Sequence, residues 1–229
     1  QDALQETLGG KSALTLMLSF LGSTVVTPLL SFFRNNGLKI GLMLLCFIFL
    51  FKIGEAFMGK MSIIFYKEVG FSKSDIAIYS KGLGWVVTVV SSLLGAYVAV
   101  RSGVVRALLL AGLFMAGTNL LFSVLAWSGK VEWLFALAVV IDDLAAAIAT
   151  VIFVAFISLL VDRNYTATQY ALLASIGTAG RTTLASSSGA LVDWLNGDWG
   201  TFFIITAIMV IPSLICLWFI KDKLKLSEK

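Results

Sequence analysis

EWLFALAVVIDDLAAAIATVIFVAFISLLV, residues 132–161, is the stretch on which the fold turns. A bilayer core of roughly 30 Å takes about 20 apolar residues of helix. This run exceeds that length, and its only interior charges are the adjacent pair Asp142-Asp143. Four further runs meet the same length standard: 38–58, 82–100, 104–127 and 200–220. A sixth, 166–192, is less hydrophobic but long, and its Gly177, Gly180, Ser186, Ser187, Ser188 and Gly189 favour close helix–helix packing over lipid exposure. Pro28 and Pro212 are the only prolines, so the helices are expected to run mostly unbroken. The fold class is therefore all-α, an integral membrane bundle of six transmembrane helices over 38–220. Residues 1–37 read as a cytoplasmic or interfacial connecting segment and 221–229 as a cytoplasmic basic tail. Within the first, Ser12–Phe33 carries no charge, yet it is rich in Ser, Thr and Gly and reads as an interfacial helix.

Composition agrees. The 229 residues are 59% hydrophobic and 13% charged, with a mean hydropathy of +0.97. A soluble domain carries about 25% charged residues, so lipid must be the solvent here. The net charge of +4 does not indicate nucleic acid, because the basic residues sit between apolar runs and at the C-terminus. Histidine is absent, which excludes Ser-His-Asp and Cys-His catalysis and imidazole metal sites. Cys46 and Cys216 lie in different runs without a CxxC partner and read as small buried hydrophobes. The aromatic residues read mostly as lipid-facing mass and interface belt. The first residue is Gln rather than Met, and the chain is expected to be the C-terminal part of a longer protein.

Charge placement orients the bundle. With both ends on one side, that side holds ten basic residues, among them Lys11, Arg34, Arg101, Arg106, Arg163, Lys221, Lys225 and Lys229, against four (Lys60, Lys67, Lys73, Lys130) on the other. The positive-inside rule then makes the termini cytoplasmic.

Lys52, Lys81 and Arg181, with Glu55, Asp142 and Asp143, fall inside the predicted spans. Each costs roughly 3 kcal/mol at mid-membrane, so they are expected to face the bundle interior or a hydrated cavity. Lys52 and Glu55 are three apart on one helix face; they either form an ion pair that makes insertion tolerable or line a polar route in which Glu55 takes a proton. Asp142 and Asp143 point about 100° apart, and one of them is expected to meet Arg181 or Lys81. Arg181 is either a counter-ion or the recognition element for an anionic solute group. Lys81, near its helix start, also fits a side chain reaching back to the interface. The function class these charges support is movement of a solute across a bilayer, not chemistry.

Several stretches resemble the AmpG-type muropeptide permeases, a branch of the major facilitator superfamily. They are Tyr165-Thr166-Ala167-Thr168-Gln169-Tyr170-Ala171-Leu172-Leu173 with Gly180-Arg181 following, Pro28-Leu29 through Phe32-Phe33-Arg34-Asn35-Asn36, Lys52-Ile53-Gly54-Glu55-Ala56-Phe57, Gly70-Phe71 and Lys81-Gly82-Leu83-Gly84. Their order covers about residues 28–220. Arg101-Ser102-Gly103 with Arg106 is a degenerate match to a superfamily loop, with Val100 at the acidic position; paired interface anchors explain it equally well. Asp142-Asp143 departs from the relatives, which often have an acid followed by Asn, and the stretch after it is Ala-rich rather than Gly-rich.

The resemblance implies one half of a twelve-helix transporter of the bacterial inner membrane, its N-terminal six-helix half missing. That transporter would import anhydro-muropeptides for peptidoglycan recycling by proton symport, with no cofactor beyond the proton gradient. Substrate carboxylates would fall to Lys52, Lys81 or Arg181 and sugar hydroxyls to Gln169 or to Ser and Thr side chains, although Gln169 equally suits pinning the start of its helix. Two other readings compete: a related transporter of another large anion such as acetyl-coenzyme A, and a membrane-embedded enzyme or assembly factor.

Overall fold

A computed structural model describes residues 25–82, 84–162 and 165–224, with the side chains of residues 80–82 outside the described set. The expectations for Lys11, Arg163, Lys225 and Lys229, for the Lys81 side chain and for residues 12–24 of the interfacial segment fall outside it.

Every regular element among the described residues is helical. Helix α1 (Thr27–Asn36) starts with Pro28 in its first turn, where the missing N–H is no loss. Gly37, at φ +76°, turns the chain into α2 (Leu38–Leu50). After a break come α3 (Ile53–Val69) and a short α4 (Lys73–Ile76). The latter opens with a capping box, the Ser72 hydroxyl accepting from the Asp75 amide and the Asp75 carboxylate from the Ser72 amide. One wide turn, Ala77–Gly82, leads on to α5 (Gly84–Ser102). Then follow α6 (Val104–Ser128), α7 (Glu132–Leu160), α8 (Thr166–Ala185), α9 (Ser188–Trp194) and α10 (Trp199–Ile220). Helix α6 packs along both α10 and α7, α5 lies along α7, and α2 rests on α10 and α8.

Five stretches are long and apolar enough to cross a bilayer: Leu38–Val69, Lys73–Ser102, Val104–Ser128, Glu132–Leu160 and Trp199–Ile220. These match the five apolar runs of the sequence. The sixth run forms α8 and α9, more polar than the others and interrupted at Ser186-Ser187. The interruption has a local cause. The hydroxyls of Ser186, Ser187 and Ser188 donate back to the carbonyls of Thr183, Leu184 and Ala185, competing with the helix's own bonds. The expectation of mostly unbroken helices also fails in the first span, which parts at Phe51-Lys52 between α2 and α3.

A second correction concerns the aromatics. Phe47, Phe51, Phe65, Phe122, Phe135, Phe156, Phe202 and Phe203 are fully buried. They stack edge-on and tilted on one another, so phenylalanine supplies core rather than lipid-facing mass. The tryptophans Trp85, Trp127, Trp133, Trp194 and Trp218 do stand exposed, as interface anchors would, while Trp199 is buried and donates its Nε1–H to Glu68 Oε2. Cys46 and Cys216, far apart in sequence, bring their Sγ atoms to 4.0 Å across α2 and α10, and Cys46 is exposed rather than buried.

The hydrophobic interior is divided into two clusters. One gathers Leu44, Phe47, Phe51, Leu108, Met115, Ala145, Phe156, Val210 and Leu217. The other gathers Phe57, Phe65, Phe122, Phe135, Val139, Trp199 and Phe203. Between the two clusters each of these long helices places polar residues: Lys52 between α2 and α3, Thr118 and Asn119 on α6, Asp142 and Asp143 on α7, Thr206 on α10. A polar layer crosses the bundle between two greasy halves.

At one end, α1 is tied to the chain that follows α7. Ser31 Oγ and Asn35 Nδ2 donate to Asp162 Oδ2 at 3.0 and 2.9 Å. Gln169 is 2% exposed; its Nε2 donates to the Pro28 carbonyl at 2.8 Å, and its Oε1 accepts from the Asp162 amide at 2.6 Å. The two family-like stretches around Phe32–Asn36 and Tyr165–Leu173 are therefore one structural knot. Gln169→Leu should remove both bonds, strand the buried Pro28 carbonyl and lower unfolding stability by about 1–3 kcal/mol. A thermal melt in detergent checks this, and solute transport per folded molecule should be unchanged.

Candidate functional site

The site begins at the helix break. Lys52 sits there outside helical geometry, at φ −100° and ψ 16°. Three glycines let neighbouring helices close on the residues around the break. A Cβ on Gly54 would lie 2.6 Å from the Thr206 carbonyl oxygen and 2.8 Å from Val210 Cγ2, so only glycine lets the first turn of α3 rest on α10. A Cβ on Gly180 of α8 would strike the Phe49 carbonyl oxygen, and one on Gly177 would sit 3.4 Å from the Ile48 carbonyl oxygen. Close backbone approach by small residues is the usual means of packing helices in lipid.

Lys52 Nζ lies 2.8 Å from Glu55 Oε2 and donates to Thr150 Oγ1 of α7 at 2.6 Å. The Lys52–Glu55 pair is the one salt bridge among the described residues. Glu55 Oε2 has, among these residues, no other aligned partner. The pair is an ion pair, and it also borders open space.

That space is two clefts meeting at Arg181. The larger, about 440 Å³, is walled by α3, α7 and α8 and takes in Glu55, Lys60, Tyr66, Asp142, Asp143, Arg181 and Thr182. The smaller, about 200 Å³, runs on between α2, α7 and α8 and takes in Lys52, Thr150, Phe153, Tyr170, Thr178 and Arg181. One is lined by carboxylates and hydroxyls, the other by aromatic and apolar groups with cations at one end.

Asp142 and Asp143 diverge as adjacent helical residues must. Asp142 Oδ1 accepts from Thr118 Oγ1 of α6 at 2.9 Å, and the same hydroxyl is 2.9 Å from the Met115 carbonyl oxygen. Asp143 turns toward α5, its Oδ2 3.0 Å from where a Cβ on Gly84 would be. Of the two expected pairings, an aspartate with Arg181 is not formed, and an aspartate with Lys81 lies outside the described side chains. Arg181 is exposed and shares the larger cleft with both carboxyls without closing on either. The physical reason is the hydroxyl of Thr118, which satisfies Asp142 from the neighbouring helix.

Of the residues singled out in the sequence, Lys52, Glu55, Asp142, Asp143 and Arg181 are thus brought together. Gln169 stands apart in its knot with Pro28, and the Lys81 side chain is outside the described set. The sequence reading missed Thr118 and Thr150, the hydroxyls that engage Asp142 and Lys52, along with Tyr66, Thr182 and Lys60 on the wall of the larger cleft. The signal available for the first was Thr118-Asn119, a polar doublet in the middle of an otherwise apolar helix.

No family model matches the chain. Curated relatives do. The chain is similar to a transporter named AmpG 4 from Rickettsia conorii, with 31% identity over 88% of this chain and 47% of the relative. A protein of the same name from Rickettsia felis is 30% identical over 96% of this chain and 51% of its own length. The anhydromuropeptide permease of Escherichia coli is 31% identical over 91% of this chain and 42% of its own length. The chain spans about half the length of the curated relatives it matches.

Proposed function

Because the chain is a relative of the AmpG-type permeases, corresponding to about half of one, we propose that it forms the C-terminal half of a secondary transporter that carries anhydro-muropeptides inward with protons. The observation that carries this reading is the pair of clefts in the polar layer. Three carboxylates and three of the chain's bases border an open groove midway along the long helices, and transporters of this architecture hold their solute near mid-membrane. Placed in lipid, these groups would be costly; bordering a hydrated route, they are not.

The parts then take roles. Arg181, free to rotate at the meeting of the clefts, is the recognition element for a substrate carboxylate, for which its planar fork is well shaped. Lys52 holds Glu55 and is itself held by Thr150, so this pair is an exchangeable gate charge. Asp142 is the coupling carboxyl. As a carboxylate it accepts a hydrogen bond from the Thr118 hydroxyl. As an acid it donates one to Thr118 Oγ1, whose own O–H then donates to the Met115 carbonyl. Either protonation state finds a partner without moving a helix. The location would be the inner membrane, with both ends of the chain cytoplasmic.

The test is uptake of labelled anhydro-muropeptide into vesicles under an imposed proton gradient. This chain reconstituted with the N-terminal half of a relative should accumulate the label, and the chain alone should not, since half the cavity wall is absent. Full accumulation by the chain alone would point to a homodimer instead, and equal competition by acetyl-coenzyme A would point to a different anion as cargo.

A further inference from the structure

Away from the groove, a third cleft of about 410 Å³ opens between the start of α6 and the end of α10. Arg106 and Lys221 line its mouth, together with the partly exposed Ser102, and Asp222 is the one acid on its wall. Its remaining wall is apolar, made by Val105, Leu109 and Trp218 with Leu224. Lys221 Nζ is held 3.3 Å above the Trp218 ring, which fixes one cation beside the apolar wall. Arg106 is exposed, and neither Arg106 nor Lys221 forms a salt bridge among the described residues. Arg101, exposed one turn away at the end of α5, and Lys223 raise the positive charge of this end further.

From this geometry we infer an anionic phospholipid site, with the phosphodiester headgroup at Arg106 and Lys221 and an acyl chain along Val105, Leu109 and Trp218. A water-soluble anion would use the bases and leave the apolar wall unexplained. An uncharged lipid would use the wall and leave two unpaired cations. An anionic lipid satisfies both, and the cleft stands where the positive-inside rule puts the leaflet that carries such lipids. Helix α5 carries no Asp or Glu, so no carboxylate from it competes for Arg106. The lipid would bridge α6 and α10, helices that also carry Thr118 and the Thr206 carbonyl of the polar layer.

The probes are short-chain phosphatidylglycerol, phosphatidylcholine of the same chain length, and inorganic phosphate, each titrated into the purified chain in neutral detergent while the melting temperature is followed. Phosphatidylglycerol should raise it by about 5 °C at saturation, and the other two should leave it within error. The double variant R106Q/K221Q should need about 25-fold more phosphatidylglycerol for half the shift, about fivefold for each base removed near a membrane surface. The control K67Q, which removes a cation at the other end of the bundle, should need no more than the parent. An equal shift with phosphatidylcholine, a full shift with phosphate alone, an unchanged titration in R106Q/K221Q, or an equal loss in K67Q would each overturn the assignment.

Discussion

Asp142→Asn should reduce proton-driven solute accumulation to background, a loss of at least about a hundredfold, the scale on which a positioned proton-transfer group acts. The amide keeps the size of the side chain and can still meet Thr118 Oγ1, so the fold and the cleft are expected to survive. What it cannot do is change charge. The discriminating readout is exchange: labelled solute trapped on one side should still swap with unlabelled solute on the other, because loading and reorientation remain possible without net proton movement. Glu55→Gln should also abolish accumulation, for a different reason. It leaves Lys52 without its counter-charge in the polar layer, and Lys52 would then be held by Thr150 alone. Exchange should therefore fail in Glu55→Gln and persist in Asp142→Asn. Accumulation at the parental rate in both variants would remove the coupling role altogether.

The second large effect concerns the helix break. Gly54→Ala and Gly180→Ala each place a methyl group against a backbone carbonyl, of Thr206 and Phe49 respectively, and a backbone cannot swing aside as a side chain can. Each is expected to lower the melting point in detergent, with about 1–3 kcal/mol of overpacking strain. Transport should fall further than stability alone explains, since the strain moves α3 in one variant and the end of α2 in the other, and with them the break that holds Lys52 and Glu55. Gly117→Ala is the internal control. Nothing lies within 4 Å of its added methyl, and φ there is not in the left-handed region. Gaining a better helix former, it should be neutral or stabilising by up to about 1 kcal/mol. Equal behaviour of all three variants would mean that the break is not clamped as described.

How much of this could be read from residues alone follows a physical line. Hydropathy over a 20-residue window is a sum, so it survives ignorance of packing, and the five apolar runs emerged where the helices are. Lys52 and Glu55 were legible as a pair because three residues on a helix fix a separation without reference to the rest of the fold. The Asp142 partner was not legible. A carboxylate between helices takes whichever donor packs nearest, and among the described residues that is Thr118. The break at Phe51-Lys52 was hidden for a similar reason. No proline marks it, and Gly54 beside it rests on the Thr206 carbonyl, some 150 residues further along the chain. Phenylalanine was assigned to the lipid face because composition cannot separate greasy surface from greasy core when both sides of a helix are apolar. Gln169 fell between the two cases: its place at a helix start was visible, and its bond to Pro28 was not.

All of this requires that the larger cleft be wet. Thr182 lines it and is exposed, so a single Thr182→Cys, in a background with Cys46 and Cys216 replaced by alanine, reports on it directly. The measurement is the rate of reaction with a charged, membrane-impermeant maleimide, in sealed vesicles carrying the chain with its partner half. Leu113→Cys, on an exposed apolar face of α6, serves as the lipid-facing comparison. The account predicts that Thr182→Cys reacts, that added solute slows it, and that Leu113→Cys stays unlabelled. A Thr182→Cys as inert as Leu113→Cys from both sides of the membrane would contradict it.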